Sequence, residues 1–132
     1  MTSPTEITPQ QLNRLVGTPT CPVILDVRID EDVSLHPSFI PGSRRQNYTS
    51  VSDWASEYQG QSVVVSCHKG LKLSQGVAAL LRHYGIDAQT LEGGYLGWLA
   101  AQLPHVPFTS LPALDGKGRT LWVTRARPKI DR

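Results

Sequence analysis

Cysteine is scarce in this sequence, with Cys21 and Cys67 the only two in 132 residues. Two thiols cannot build the disulfide framework of a small secreted scaffold. Neither sits in a Cys-x-x-Cys pair with partner histidines, so zinc-site spacing is absent. No metal and no cofactor is expected, and each thiol has to be judged by its own surroundings. Long apolar runs are missing as well. Nothing approaches the roughly 18 apolar residues of a membrane span, and the start Thr2-Ser3-Pro4-Thr5-Glu6 has neither the basic residues nor the apolar run of a signal peptide. The expectation is a soluble, cytoplasmic protein with no membrane partner. An excess of one charge is also lacking: the net charge is +2. It is unevenly placed, because six basic residues against two acidic ones follow Leu114, leaving the tail at +4 and the body at −2. Trp122 is the only aromatic among those basic residues, so a solvated or docking tail is expected there, and nucleic acid is not.

What is present fits one ordinary globular domain, with 39% hydrophobic and 18% charged residues. Thr8-Pro9-Gln10-Gln11 sets a capping hydroxyl, a proline at the first helical position and a capping-box glutamine in order, predicting a short helix with Leu12, Leu15 and Val16 on its inner face. Val23-Ile24-Leu25-Asp26-Val27 is the near-continuous apolar run of a strand buried on both faces, which points to a parallel sheet. Asp30 to Gly42 has no sustained period and reads as a long loop holding one turn of helix. Val51, Trp54 and Tyr58 predict a helix over 50–58. Val63-Val64-Val65 reads as a central strand delivering Ser66 and Cys67 at its carboxyl end. A helix with Val77, Leu80, Leu81 and Tyr84 follows, stopped by Gly85, and Ala88 to Leu91 is extended again. After a turn at Glu92 to Tyr95, a last helix carries Tyr95, Trp98, Leu99 and Leu103. Alternating strands and helices predict an α/β fold, a mostly parallel central sheet flanked by helices. The domain is expected to span 1–103. Residues 104–132 then form a Pro-rich linker, up to Pro112, and a basic tail with one further strand over 119–124.

The loop Cys67-His68-Lys69-Gly70-Leu71-Lys72 stands between a buried strand and a helix N-terminus, the place where open α/β sheets bind ligands. Gly70 lets the backbone curl so that successive amides face inward as an anion nest. A free thiol with a pKa of about 8.5 is only a few per cent thiolate at neutral pH, and a helix N-terminus offers at most about 2 kcal/mol. Nest amides together with the ammonium groups of Lys69 and Lys72 add to that and favour the thiolate, the form that attacks sulfur. A buried packing cysteine is the common alternative for a lone thiol. A glycine-containing, doubly basic loop favours function for Cys67, whereas Cys21, between Thr20 and Pro22, keeps the packing role.

Four blocks of this sequence together resemble the rhodanese family over roughly Gln10 to Leu103. They are Leu25-Asp26-Val27-Arg28, then Ile40-Pro41-Gly42-Ser43, then Val64 to Lys72 with Cys67 within it, and finally Leu91-Glu92-Gly93-Gly94-Tyr95-Leu96-Gly97-Trp98. The resemblance implies a sulfurtransferase in which Cys67 takes the outer sulfur of thiosulfate or another small anionic donor. A persulfide then passes it to a thiol or cyanide acceptor. It further implies that the loop amides from His68 to Lys72 hold the donor. Lys72 stands where many members carry arginine, and an ammonium binds sulfonate without the bidentate fork of a guanidinium. Leu73 stands where Ser or Thr commonly follows the loop, leaving Ser74 as a shifted cap. His36-Pro37-Ser38-Phe39 replaces the usual Gly-His before Ile-Pro-Gly.

Around the loop, Asp26 and Arg28 are expected to hold neighbouring segments by an ion pair more than to take part in chemistry. Arg44 and Arg45 are candidates for an anion-attracting mouth, with a solvated pair as the alternative. His68 is expected to be an exposed loop side chain rather than a general base. Related phosphatase and arsenate-reductase families place an arginine six residues after the cysteine, where this chain has Leu73, so phosphate chemistry is disfavoured. The segment from Gly118 to Arg132 resembles the opening of the chromate-resistance domain, which implies a downstream domain of that kind. It also raises a second reading, a low-turnover module that binds or senses chromate or sulfate.

Overall fold

The computed structural model describes residues 5–107 together with two short strands, Ala113–Leu114 and Thr120–Leu121. In chain order the elements are β1 (Glu6–Ile7), α1 (Pro9–Leu15), β2 (Val23–Asp26), α2 (Asp30–Leu35), β3 (Ser38–Phe39), β4 (Arg44–Arg45) and α3 (Val51–Trp54). There follow β5 (Ser62–Ser66), α4 (Lys72–His83), β6 (Asp87–Leu91), α5 (Gly94–Ala100), β7 (Val106–Pro107), and the strands β8 (Ala113–Leu114) and β9 (Thr120–Leu121). Five strands form one parallel sheet in the order β1-β6-β5-β2-β4. This is the expected α/β architecture, and it puts β5 in the middle.

The apolar runs of β2 and β5 are explained by burial on both faces. Leu25, Val63 and Val65 pack with Val51, Trp54, Tyr58, Val77 and Leu81 on the face covered by α3 and α4. Ile24, Val64 and Leu91 pack with Leu12, Tyr95 and Trp98 on the face covered by α1 and α5. Each such side chain contributes about 1.5–3 kcal/mol on leaving water, so the central strands are the most firmly held part of the sheet. The capping box opens α1 as predicted: Gln11 N donates to Thr8 Oγ1 at 3.1 Å and Thr8 N to Gln11 Oε1 at 3.0 Å. The segment over 50–58 is less regular than predicted, a short α-helix between two 3-10 turns, yet it buries Val51, Trp54 and Tyr58. In α4, Val77 and Leu81 turn inward, while Leu80 and, just past the helix, Tyr84 are exposed.

Two expectations are corrected. Asp30 to Gly42 holds the short helix expected there, α2, but the rest is not only loop: it includes β3, which pairs antiparallel with β7 through Ser38↔Pro107 and Phe39↔Val106. The fold therefore runs past Leu103, and the first part of the presumed linker is a strand. Pro107 is tolerated because this is a two-stranded ribbon, where proline's missing donor interrupts no central ladder. Trp98 Nε1 also donates to the Pro104 carbonyl at 2.8 Å, anchoring the same stretch. Thr120–Leu121 is a strand as predicted over 119–124, paired antiparallel with β8. The rest of the basic tail, and with it most of the segment resembling a chromate-resistance domain, lies outside the described residues. Among the described residues no helix is long and apolar enough to cross a membrane.

Candidate active site

β5 ends at Ser66, which stands beside Asp26 of β2, itself beside Arg45 of β4, so the carboxyl ends of three strands share one row. Cys67 leaves the middle strand directly above this row. Its side chain is 4% exposed and closes the core cluster beneath α4, with Leu73 packed against that cluster. Only a slender reactant can reach such a sulfur. Cys67 Sγ donates to Ser74 Oγ at 3.1 Å, and Ser74 Oγ donates to the Leu71 carbonyl at 3.4 Å. Ser74 is fully buried in the first turn of α4. It is not the expected cap, since Leu71 occupies the N-cap with no side-chain capping bond. It is a site residue that the sequence reading missed, because its role depends on which way the first turn of α4 faces.

The loop is shaped from outside by α5. Tyr95 N donates to the Cys67 carbonyl at 2.8 Å and Leu96 N to the His68 carbonyl at 3.0 Å. Gly70 is buried and takes φ +73°, and a Cβ there would lie 2.6 Å from Gly94 N and 2.8 Å from Leu91 O. Glycine is required on both counts, backbone angle and space. Gly94 answers it from the other side: with φ +62°, a Cβ would lie 2.5 Å from the Cys67 carbonyl and 2.7 Å from that of His68. The Gly93-Gly94 pair thus belongs to the loop's mould. The N–H groups of His68 to Leu71 donate to no acceptor among the described residues, and the unpaired first-turn amides of α4 follow them. That is a run of donors suited to an oxyanion. Lys69, Leu71 and Lys72 are exposed, so the two ammonium groups stand at the solvent side of this run.

Asp26 and Arg28 are both buried and form the expected ion pair, a fork in which Arg28 Nε and Nη2 grip the carboxylate at 2.8–3.1 Å. Arg28 Nη1 donates to the His36 carbonyl at 3.0 Å and Nη2 to that of Ser38 at 2.8 Å, while the guanidinium lies 4.3 Å above the Tyr95 ring. One arginine therefore braces β2, the α2–β3 segment and α5. The Tyr95 hydroxyl is hydrogen-bonded to Ser38 Oγ. Burial pushes the Tyr95 phenol above its ordinary value, against the opposing Ser38 hydrogen bond and Arg28 charge. Of the mouth candidates, Arg45 pairs with Asp30 and donates to the Arg28 carbonyl at 3.0 Å, so it serves this brace, and Arg44 is exposed. His68 is not the exposed side chain expected. It is part-buried against His36, and its Nδ1 is buried. Cys21 packs at the edge of the opposite core cluster, and burial raises its thiol, opposed by a backbone hydrogen bond from Gly17. Among the described residues no three His, Cys, Asp or Glu side chains gather to hold a metal ion.

The family model for the rhodanese-like domain matches residues 8–101. The chain belongs to that family. Solved structures agree with this rhodanese-like assignment. A rhodanese-like domain protein from Staphylococcus aureus is 26% identical with a TM-score of 0.63, covering 71% of this chain and 90% of its own. A rhodanese-related protein from Thermoplasma volcanium is 20% identical with a TM-score of 0.66, covering 76% and 96%. The thiosulfate sulfurtransferase from Pseudomonas aeruginosa shares the fold at 22% identity and a TM-score of 0.67, over 80% of this chain and 20% of its own. No curated protein matches the sequence. The match ends at residue 101, just short of the β7 strand that completes the ribbon with β3.

Proposed function

We propose that this rhodanese-like domain is a sulfurtransferase that carries sulfane sulfur on Cys67. The observation supporting this most directly is that Cys67 stands at the carboxyl end of the central strand, immediately ahead of the unpaired loop amides in the chain, with its Sγ held by Ser74. Cys67 thiolate attacks the outer sulfur of thiosulfate. A new S–S bond forms to Cys67, the donor's S–S bond breaks, and sulfite departs with the electron pair. A thiol or cyanide then attacks the terminal sulfur of the persulfide and returns Cys67 as thiolate; with cyanide the product is thiocyanate. The loop amides hold the donor's oxyanion, and Lys69 and Lys72 attract it. Persulfide transfer needs no strong base once the thiolate exists. The test is intact-protein mass spectrometry after incubation with thiosulfate: the wild type gains one sulfur, lost again to cyanide, and Cys67→Ala gains none. An equal gain in Cys67→Ala sinks the proposal.

The second reading keeps the same loop as an anion holder with little turnover, for chromate or sulfate, in a protein with a downstream chromate-resistance-like domain. The lysines in place of a guanidinium fork and the near-complete burial of Cys67 favour it. Calorimetry that detects chromate binding without any persulfide would select it.

A further inference from the structure

The two most exposed large apolar side chains among the described residues are Leu35 at 68% and Leu71 at 58%. Both stand on segments that meet at the site. Leu35 ends α2, just before His36, whose ring centroid lies 5.8 Å from that of His68 in the loop; Leu71 lies between the exposed Lys69 and Lys72. Scattered exposed leucines are ordinary on a protein surface. Leu71, however, also takes the N-cap of α4 without a side-chain capping bond, and Lys72 opens a first turn that holds no acid. Helix chemistry favours a hydroxyl or carboxylate at the first of these places and an acid at the second. A bound oxyanion accounts for the lysines and leaves the leucines unexplained.

A second observation concerns where the sulfur can go. Cys21 is the only other thiol of the chain. It precedes Val23, which pairs with Val63 at the amino end of β5, whereas Cys67 follows Ser66, the partner of Asp26 at the carboxyl end. About six residues of extended chain, on the order of 20 Å, separate the two levels. The two thiols also belong to core clusters on opposite faces of the sheet. Sulfur on Cys67 therefore has no thiol to reach within the chain, and its acceptor comes to the loop from outside.

We infer that this acceptor is a cysteine on an acidic segment of a partner protein, which docks on Leu35 and Leu71 with its carboxylates toward Lys69 and Lys72. This rests on the sulfur-transfer reading and names its acceptor class. The apolar contact fixes the register and the ammonium groups select the charge. Nearby acids do not cancel them: Asp30 is paired with Arg45, Glu31 and Asp32 lie in the first turn of α2 away from Leu35, and Glu92 is a single charge before α5. A cysteine side chain is slender, and loading carries the reactive atom about 2 Å beyond Sγ. The partner's thiolate attacks that outer sulfur. An S–S bond to the partner's cysteine forms as the bond to Cys67 breaks, the electron pair stays on Cys67 as thiolate, and the transferred sulfur leaves with its proton.

The test uses the full chain, loaded from thiosulfate and freed of donor, and follows its discharge by intact-protein mass spectrometry. Two synthetic peptides serve as acceptors, each with one cysteine beside a leucine, one otherwise rich in glutamate and one in lysine; rates are compared per thiolate. The glutamate peptide should discharge Cys67 at least about tenfold faster than the lysine peptide or glutathione at low salt, an advantage that shrinks in about 1 M salt. Relative to discharge by cyanide, its rate should fall several-fold in Leu35→Ser, in Leu71→Ser and in Lys69→Gln. Binding is read separately, by fluorescence anisotropy of the glutamate peptide with serine for cysteine on the unloaded chain. The same substitutions should weaken it several-fold, while Leu80→Ser on α4 leaves it unchanged. Equal rates to the two peptides, an equal rate to glutathione, or binding that both leucine variants retain overturns the inference. A wild type that binds the glutamate peptide in this way yet takes no sulfur from thiosulfate refutes the transfer proposal alone. One that loads and discharges to cyanide but shows no preference for the glutamate peptide refutes the docking surface alone.

Discussion

The sulfur of Cys67 has a hydroxyl beside it, and the direction of that hydrogen bond can reverse. With Cys67 protonated, Sγ donates to Ser74 Oγ and the hydroxyl donates onward to Leu71; with a thiolate, the hydroxyl turns to donate to sulfur. Ser74→Ala removes this response. The variant should load sulfur from thiosulfate several-fold more slowly and lose about 1 kcal/mol of stability for the missing buried hydrogen bond, measured by adduct kinetics and urea unfolding. Tyr95 gives a prediction about pH. Its phenol titrates higher in the folded chain than its ordinary value of 10.0, because burial disfavours the phenolate. The neutral phenol's contribution is therefore complete below pH 10 and is lost as the pH rises through the folded value. Urea unfolding between pH 9 and pH 11 should show the wild type weakening more steeply than Tyr95→Phe. Equal slopes would show that Tyr95 does not drive the loss.

Among the elements, the decisive contact is between the Cys67 loop and the N-terminus of α5. Gly94→Ala puts a methyl group 2.5 Å from the Cys67 carbonyl at a φ of +62°, so the loop has to move. The variant should lose most of its sulfur loading, at a stability cost of at least about 1 kcal/mol, read by mass spectrometry and denaturant unfolding. The sequence made Gly93-Gly94 visible as a turn but not as part of the loop's mould, since that follows from α5 packing back over β5. The same distinction holds elsewhere. β2, β5, α1 and α4 were legible because each carries its own period, cap or apolar run. β3 and β7 were not, because strands of two residues have no period and exist only through their pairing. Arg28 was legible as the partner of Asp26, while its grip on His36, Ser38 and Tyr95 required the loops to be in place. His68 was read as solvent-exposed because nothing in its neighbourhood along the chain announces His36.

For the molecule as a whole, the carboxyl end of the sheet is bordered by segments distant in sequence. α2, β3 and β7 form its outer margin, and Trp98 reaches Pro104 at 2.8 Å from within the core. A chain ending at Leu103 should therefore be less stable than one ending at Pro107 by about 1–3 kcal/mol, because the buried Trp98 N–H loses its acceptor. Matching urea midpoints for the two chains would show that β7 adds nothing. The bonds from the Tyr95 and Leu96 amides to the Cys67 and His68 carbonyls have a practical consequence. These two amides cannot exchange with solvent while the loop is seated. In a hydrogen–deuterium exchange record they act as a built-in clock for loop opening, and their slowing upon addition of an anion would time ligand capture without any probe attached to the site.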